Sequence, residues 1–321
     1  MTLKRNLGKV EQKILFALEK NARQSNSKIS KDVGIPKHKV NYHIKKFESN
    51  GTILGYYPII DVSKLGYITY RCYLHLRDIT EEKKQEILNY LKNTEEVAYI
   101  YTYKDYYLLG VGIVTKSTKR FHEVWDKIML YKPNIESYKI SIYSPIYDFT
   151  KTFLNPDKTE IPEINILGEG KEEKVDEIDL KILKSLAKNA KKTTINIAKE
   201  IEQSPQLIIQ RIKKLEQKNI ILGYKPILNW SSLGYESYKA TIILKNYKCN
   251  QDIFNFCHTE QYIFQLNRPI GSDLEIELYV KNHEQFKGIM TKIQNLFPNQ
   301  IEKYEHIILE KAHKVTYIPT N

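Results

Sequence analysis

The sequence predicts an α+β protein in which one composite unit, three short helices followed by a βαββαβ unit, occurs twice. Two observations lead to this prediction. Residues 11–76 align with residues 179–244 without a gap, and 25 of the 66 aligned pairs are identical. Within each copy, the apolar residues change from helical spacing to the alternation typical of strands. Because the repeat is longer than the roughly 20 to 50 residues of a solenoid unit, we interpret it as a duplicated module of domain size.

The length of 321 residues predicts two to four domains. The net charge of +12 is concentrated in two matching segments, with 12 basic and 4 acidic residues in 1–58 and 13 basic and 8 acidic residues in 171–226. Charge placed in this way indicates that a polyanion is bound at two places. The sequence contains three cysteines without framework spacing and no recognisable signal peptide, which predicts a cytoplasmic protein. It contains no apolar run of about 18 residues, so we expect no membrane-spanning segment.

Each copy begins with three predicted helices. In copy one, Gly34 ends the second helix and Pro36 suits the first turn of the third. In copy two, Ser204 caps the third helix and Pro205 occupies its first position. The tight turn before the third helix indicates a helix-turn-helix, and the short strand that follows it indicates a wing. We place these winged helix-turn-helix domains at residues 1–60 and 174–228.

The second part of each copy predicts the element order β-α-β-β-α-β, which is typical of a ferredoxin-like domain. These domains are placed at residues 61–154 and 229–321. Residues 155–173 are interpreted as a linker that would reach about 60 Å if extended, which leaves the docking of the halves open. We expect the two sheets to pack face to face through their apolar sides, which are represented by Leu74 and Leu76 in copy one and by Ile242 and Leu244 in copy two.

Several segments of copy two closely resemble the leucine-responsive/asparagine-regulator (Lrp/AsnC) family of transcription factors. They are Asp179–Leu183, Asn189–Lys191, Arg211–Glu216 and Ile220–Tyr224. Copy one carries the same pattern, with His43 at the position of Arg211. The resemblance implies that each winged domain binds DNA and that each βαββαβ domain senses a ligand and dimerises. The chain resembles two such subunits fused head to tail, which implies an internal pseudo-dimer that binds double-stranded DNA.

The polar face of each third helix supplies the candidate DNA-binding residues. In copy one they are Lys37, His38, Lys39, Asn41, Tyr42, Lys45 and Lys46, and in copy two they are Gln206, Gln210, Arg211, Lys213 and Lys214. Asn41 is suited to pair with adenine and Lys37 with guanine, whereas the other lysines are suited to phosphate. Ile209 stands at the place of Asn41. Three interpretations of Ile209 stay open, namely a contact with a thymine methyl group, a protein contact, or the loss of specific readout.

Family resemblance further implies a site for a small effector, such as an amino acid, near the turn between the second and third strands of each βαββαβ unit. The candidate residues are Lys104, Asp105 and Tyr106 in copy one and Gly271, Ser272 and Asp273 in copy two. Copy one lacks the glycine of the family's turn, which counts against effector binding there. We expect no resident cofactor, no metal site and no catalytic residues, because metal-ligand spacings and Gly-rich phosphate loops are not found.

The leading hypothesis is a sequence-specific DNA-binding transcriptional regulator that is not an enzyme. Further assembly into a homo-oligomer stays open, because a pseudo-dimer can keep the family's other interfaces. One alternative is a tetrapyrrole-processing enzyme of the siroheme decarboxylase type, which uses a similar architecture. The Lys- and His-rich third helix of copy one argues against it, as does the lack of a His and Arg cluster in the β-rich halves. A second alternative is an architectural chromatin protein that binds DNA with low specificity.

Overall fold

The computed structural model describes residues 5–104, 108–157, 160–246 and 251–319 of the chain. Copy one contains α1 (Lys9–Lys20), α2 (Asn26–Val33), α3 (Lys37–Ser49), β1 (Ile53–Ile60), β2 (Ile68–Leu76), α4 (Glu81–Asn93), β3 (Val97–Tyr103), β4 (Leu108–Thr115), α5 (Thr118–Ile128) and β5 (Ile135–Phe149). The short strand β6 (Ile164–Leu167) follows. Copy two contains α6 (Glu177–Lys188), α7 (Thr194–Glu200), α8 (Pro205–Gln217), β7 (Ile221–Leu228), β8 (Glu236–Leu244), α9 (Gln251–Thr259), β9 (Ile263–Ile270), β10 (Leu274–Val280), α10 (His283–Leu296) and β11 (Ile301–Val315). The predicted α+β class and the element order of both copies are confirmed.

Local sequence signals explain where the short helices begin and end. Gly34 ends α2 with a φ of 75°, a left-handed conformation that glycine adopts without the cost imposed by a side chain. At the start of α8, the hydroxyl of Ser204 accepts a hydrogen bond from the N–H of Leu207, and Pro205 occupies the first turn. These signals set the turn before each third helix and therefore the face that α3 and α8 present.

The strand after each third helix pairs with its counterpart in the other copy. β1 and β7 form an antiparallel two-stranded ribbon in which Tyr57 lies opposite Lys225. These two residues are 168 positions apart, which is also the offset of the repeat. An approximate two-fold axis therefore passes through this point of the ribbon and relates the two helical units.

The ribbon joins the two helical units into one body. A single apolar cluster contains the buried side chains of α1, α3, α6 and α8 together with those of β1 and β7. Reciprocal hydrogen bonds fix the ends of the first helices. The N–H of Ala22 donates to the carbonyl of Tyr224 at 2.8 Å, and the N–H of Ala190 donates to the carbonyl of Tyr56 at 3.1 Å. The two helix-turn-helix units are thus held relative to each other by a shared core.

The βαββαβ units of the two copies share one closed sheet. Its antiparallel strands run in the order β2-β4-β3-β11-β8-β10-β9-β5, and β5 pairs with β2 to close the ring. β5 and β11 are the long strands that cross between the copies. The first part of β5 pairs with β2 of its own copy, and its second part pairs with β9. The first part of β11 pairs with β8, and its second part pairs with β3.

The apolar sides of the sheet face the helices rather than each other. Leu74 and Leu76 lie in a buried cluster with residues of α4 and α5, and Ile242 and Leu244 lie in another cluster with residues of α9 and α10. The expectation that these four side chains meet across the sheets is therefore wrong. The physical reason is that amphipathic helices cover the outside of the ring, so the apolar residues of each strand point outward.

The linker predicted at residues 155–173 contains β6 and follows a defined path. β6 pairs with the end of β5. Beyond it, the N–H of Gly168 donates to the carboxylate of Asp61 at 3.0 Å, and the N–H of Glu173 donates to the carbonyl of Lys64 at 2.7 Å. The linker is therefore attached to copy one, while the β1–β7 ribbon and the closed sheet hold the two halves together. None of the described helices is long and apolar enough to cross a membrane.

Candidate nucleic-acid interface and polar centre

The third helix of copy one presents a continuous polar face. Val40, Ile44 and Phe47 are buried against the other helices. The predicted residues on the opposite side are all exposed, namely Lys37, His38, Lys39, Asn41, Tyr42, Lys45 and Lys46. Tyr42 is 63% exposed, which is high for an aromatic side chain. Among the seven, Lys46 forms an ion pair with Glu11 of α1 at 3.0 Å.

The third helix of copy two presents a less basic face. Gln206, Gln210, Lys213 and Lys214 are exposed as predicted, and Ile209 is 54% exposed. Ile209 is therefore open to solvent, and a thymine contact, a protein contact and lost readout all stay open as interpretations of its apolar side chain.

Arg211 differs from the other candidates because it is half-buried and already paired. Its guanidinium lies 2.6 Å from the carboxylate of Asp176 and 3.3 Å from that of Asp179. His43 in copy one occupies the same position, with its ring 3.6 Å from Glu11. The side chain at this position therefore joins the third helix to the first. No local pattern indicates this pairing, because the partners lie more than 30 positions away in the sequence.

The structure places the two candidate effector turns beside different strands. Gly271 has a φ of 99° and lies near Ile140 and Ser141 of β5. Asp273 accepts a hydrogen bond from the N–H of Leu244 at 2.8 Å. The hydroxyl of Ser272 donates to Glu275 at 3.3 Å.

In copy one, Lys104 forms an ion pair with Glu236, and its N–H donates to the carbonyl of Ile308 in β11. Asp105 and Tyr106 lie outside the described residues. Lys104 and the Gly271 turn are thus attached to opposite long strands, β11 and β5, and each lies against the other copy.

A polar centre, which sequence reasoning missed, lies inside the ring. We define it by Arg71, Lys239, Glu275, Glu277 and Tyr143. Arg71 lies 2.8 Å from Glu277 and stacks on the ring of Tyr143, with the guanidinium carbon 3.9 Å from the ring centroid. Lys239 is in contact with Glu275 and lies 3.7 Å from Glu277. The two cations balance the two carboxylates. Their contacts join the strands of copy one to the strands of copy two inside the ring.

Burial and neighbouring charges shift the pKa values of the groups in this centre in opposite directions. Burial raises the pKa of Glu275 to about 7 and lowers the pKa of Lys239 well below its usual value. Burial also acts to raise the pKa of Glu277, but the charges of Arg71 and Lys239 outweigh it and hold that pKa low. The signal in the sequence was the alternation of Glu275 and Glu277 with apolar residues in β10, which marks a second buried face that is polar.

A second buried ionic group connects the helical units to the ring. Lys225 lies at the approximate two-fold axis, with its ammonium 2.7 Å from Asp148 and 3.1 Å from Glu19. Lys151 lies 2.8 Å from the same Glu19 carboxylate. Burial opposes the charge of Lys225, but Asp148 and Glu19 outweigh this effect and raise its pKa. These charges couple α1, the ribbon and the end of β5.

The fold and the paired third helices define a class, proteins with winged helix-turn-helix domains. A sequence profile described as winged helix-turn-helix DNA-binding matches residues 7–53 and 175–221, once in each copy. An uncharacterised HTH-type transcriptional regulator of Pyrococcus abyssi is 39% identical over 138 residues, which cover 42% of this chain and 92% of the relative. The regulatory protein AsnC of Haemophilus influenzae is 26% identical over 143 residues, which cover 44% of this chain and 95% of AsnC. The chain belongs to the Lrp/AsnC family of transcriptional regulators, and the family's unit is present twice.

Two further comparisons limit what can be carried over from relatives. The leucine-responsive regulatory protein of Haemophilus influenzae is 36% identical over 67 residues, which cover 21% of this chain and only 40% of that relative. The crystal structure of the siroheme decarboxylase NirDL aligns with 97% of this chain and 94% of its own, with a TM-score of 0.61 and 13% identity. At this identity the match shows a common fold alone.

Proposed function

We propose that the chain is a sequence-specific DNA-binding transcriptional regulator in which two unlike helix-turn-helix units act as a fixed internal pair. The observation that supports this function best is the shared core and the β1–β7 ribbon, which hold α3 and α8 in one body. Two recognition helices fixed in this way are suited to two half-sites on one face of a duplex. The charges of +8 and +5 on the two helical segments favour phosphate contacts at both places.

The two helices differ in what they offer to bases. α3 exposes Asn41 and Tyr42, whereas α8 exposes Ile209 and Gln210 at the aligned positions. Two-fold operators arise because identical subunits present identical helices. A chain with unlike helices is therefore proposed to bind two unlike half-sites, with α3 supplying most of the base recognition. Arg211 is proposed to act by positioning α8, because its guanidinium is held by two carboxylates.

Selection of bound sequences from a random DNA pool, followed by footprinting, tests this proposal. Footprints are recorded at a protein concentration where light scattering reports one chain per particle. We expect an asymmetric protected site with a strong and a weak half. A symmetric palindrome protected by a single chain would show that the two helices are equivalent readers. Failure to enrich any motif over random competitor DNA would favour the architectural chromatin protein instead.

We further propose that a small effector, such as an amino acid, binds at the Gly271 turn rather than at Lys104. The Gly271 turn lies beside Ile140 and Ser141 of the other copy, so an effector bound there would contact both copies. Lys104 is committed to Glu236. Thermal unfolding in the presence of each amino acid tests this proposal. A ligand that raises the midpoint for the wild type, but not for Gly271→Val, would support it, and an equal rise in both would contradict it.

The alternative of a tetrapyrrole-processing enzyme is kept because the siroheme decarboxylase fold covers nearly the whole chain. The polar centre argues against it, because Arg71, Lys239, Glu275 and Glu277 satisfy one another at the place where the copies meet. Addition of siroheme to the purified protein discriminates the two functions. A shifted Soret band with loss of carboxylate from the tetrapyrrole would establish the enzyme.

A further inference from the structure

The segment after β5 covers one face of α1 in copy one. The carboxylate of Asp157 lies 2.8 Å from the ammonium of Lys13 and 3.2 Å from that of Lys9. The carboxylate of Glu160 lies 2.7 Å from the ammonium of Lys20. Two carboxylates three positions apart are thus bound by Lys13 and Lys20, which lie two turns apart on one helix face.

Copy two has the same lysines on α6. Lys181 and Lys188 follow Lys13 and Lys20 by the repeat offset of 168. In copy two they line an open groove with a volume of about 320 Å³. We call it the α6 groove and define it by Lys181, Lys184, Lys188, Glu200, Ile201 and Glu202.

The ion pairs that the groove lysines make within the chain are easily exchanged. Lys181 pairs with Glu177 one turn away on the same helix, and both side chains are more than half exposed. Exposed pairs of this kind contribute little to stability, because water and salt screen the two charges. Lys184 lies 3.7 Å from Glu95, where copy one has the buried ring of Phe16. Lys184 therefore adds a third lysine to the floor of the α6 groove, whereas Glu177 stands where copy one has Lys9.

We propose that the α6 groove docks an extended acidic peptide segment of a partner protein, with carboxylates three residues apart on Lys181 and Lys188. The internal precedent is the way in which Asp157 and Glu160 lie on α1. The carboxylates of Glu200 and Glu202 on the rim would repel the uniformly charged phosphate backbone of a nucleic acid. A peptide can instead place neutral residues beside them. This surface is separate from the polar faces of α3 and α8 and does not depend on the proposed DNA recognition.

A labelled synthetic peptide with the chain's own sequence 155–163 is the probe, because Asp157 and Glu160 of this sequence already lie on the α1 face. Fluorescence anisotropy is measured against the full chain. We expect saturable binding that is weakened about tenfold or more by the double variant Lys181→Glu/Lys188→Glu, since both ion pairs become repulsive. The milder Lys181→Gln/Lys188→Gln should weaken binding in the same direction, and its melting curve verifies folding.

Two controls make the outcome decisive. Lys199→Glu places the same charge change on the exposed side of α7, outside the groove, and should leave peptide affinity within about twofold. A neutral peptide that carries the changes Asp157→Asn, Glu160→Gln and Glu163→Gln should not bind. No binding to the wild type, or equal binding to the groove variants, overturns the proposal. Displacement of the peptide by duplex DNA, with DNA affinity lost in the groove variants but not in Lys199→Glu, would identify a phosphate contact and also overturn it.

Discussion

Replacing Arg71 with methionine removes one cation of the polar centre while keeping a side chain of similar length. Arg71 and Glu277 are 11% and 19% exposed and lie 2.8 Å apart, so the pair is largely removed from water. In the variant, Glu277 keeps only Lys239 as a cationic partner in the centre, at 3.7 Å. Removal of one member of a buried pair typically costs about 3–5 kcal/mol, because the other charge stays buried and uncompensated. We expect the free energy of unfolding to fall by about 3 kcal/mol.

The double variant Arg71→Met/Glu277→Gln tests whether this cost arises from the pair. Without the carboxylate charge there is no uncompensated anion, so the double variant should recover at least about 1 kcal/mol of the loss. Urea denaturation followed by tryptophan fluorescence measures both free energies. Arg77→Met is the matched control, since Arg77 is exposed at the end of the same strand and should change stability by less than about 0.5 kcal/mol. If Arg71→Met costs no more than this control, or if the two changes add without coupling, the reasoning is refuted.

Three further predictions follow from the site and the polar centre. Burial raises the pKa of Glu275 from 4.5 to about 7, so its contribution to stability is complete below pH 4.5 and is lost as the pH rises through 7. The stability of the wild type relative to Glu275→Gln should therefore fall between about pH 5 and 8 in urea denaturation, and a rise would contradict the shift. Affinity for the selected DNA should fall about 10³ to 10⁵-fold between 50 and 200 mM salt if roughly 6 to 10 phosphates are neutralised, and a flat response would contradict it. Asn41→Ala should cost about 1–3 kcal/mol on the best site and relax one base pair, whereas Ile209→Ala should change base choice less; equal loss in the selected motifs would contradict this ranking.

The helices and strands could be predicted because their signals are local. The spacing of apolar residues, the cap at Ser204 and the glycine at Gly34 each act within a few residues of the element that they define. The pairing of β1 with β7 could not be predicted in this way, because a strand's own sequence does not specify its partner. The side of each strand that the helices cover could not be predicted either, and the apolar sides do not meet each other as expected. Alternation shows that Arg71 and Leu74 point to opposite sides, but it does not show which side the helices cover.

The candidate site was predictable to the extent that it depends on one helix face. The exposed residues of α3 follow from the buried stripe of Val40, Ile44 and Phe47. The pairing of Arg211 with Asp176 depends on how the third helix crosses the first, and a linear pattern carries no such information. The same holds for the polar centre, where the carboxylate partner of Arg71, Glu277, comes from the other copy.

The polar centre explains why the βαββαβ unit of copy one pairs with that of copy two rather than with a second unit identical to itself. Arg71 and Lys239 occupy equivalent positions, and the residue opposite them on the neighbouring strand is Gly112 in copy one and Glu277 in copy two. Two sheets of copy one would therefore bring together two arginines without carboxylates at this position. Two sheets of copy two would bring together an excess of buried carboxylates. Only unlike sheets balance the charge.

The volume of the side chains inside the ring also favours the pairing of unlike sheets, as their charge does. A side-chain carbon at Gly112 would lie 2.0 Å from the ring of Tyr99, so the missing side chain makes room for that ring inside the sheet of copy one. We therefore expect Gly112→Ala to destabilise the ring by about 1–3 kcal/mol through overpacking, as measured by urea denaturation. Gly8→Ala is the control, because the added side-chain carbon would lie 3.9 Å from a carboxylate oxygen of Glu11, which is an ordinary van der Waals contact. Equal stability of the two variants would contradict this role of Gly112. If the role holds, the unlike sheets keep the unlike helices α3 and α8 together in every pair that forms, and this pairing of unlike helices is the physical reason to expect an asymmetric DNA site.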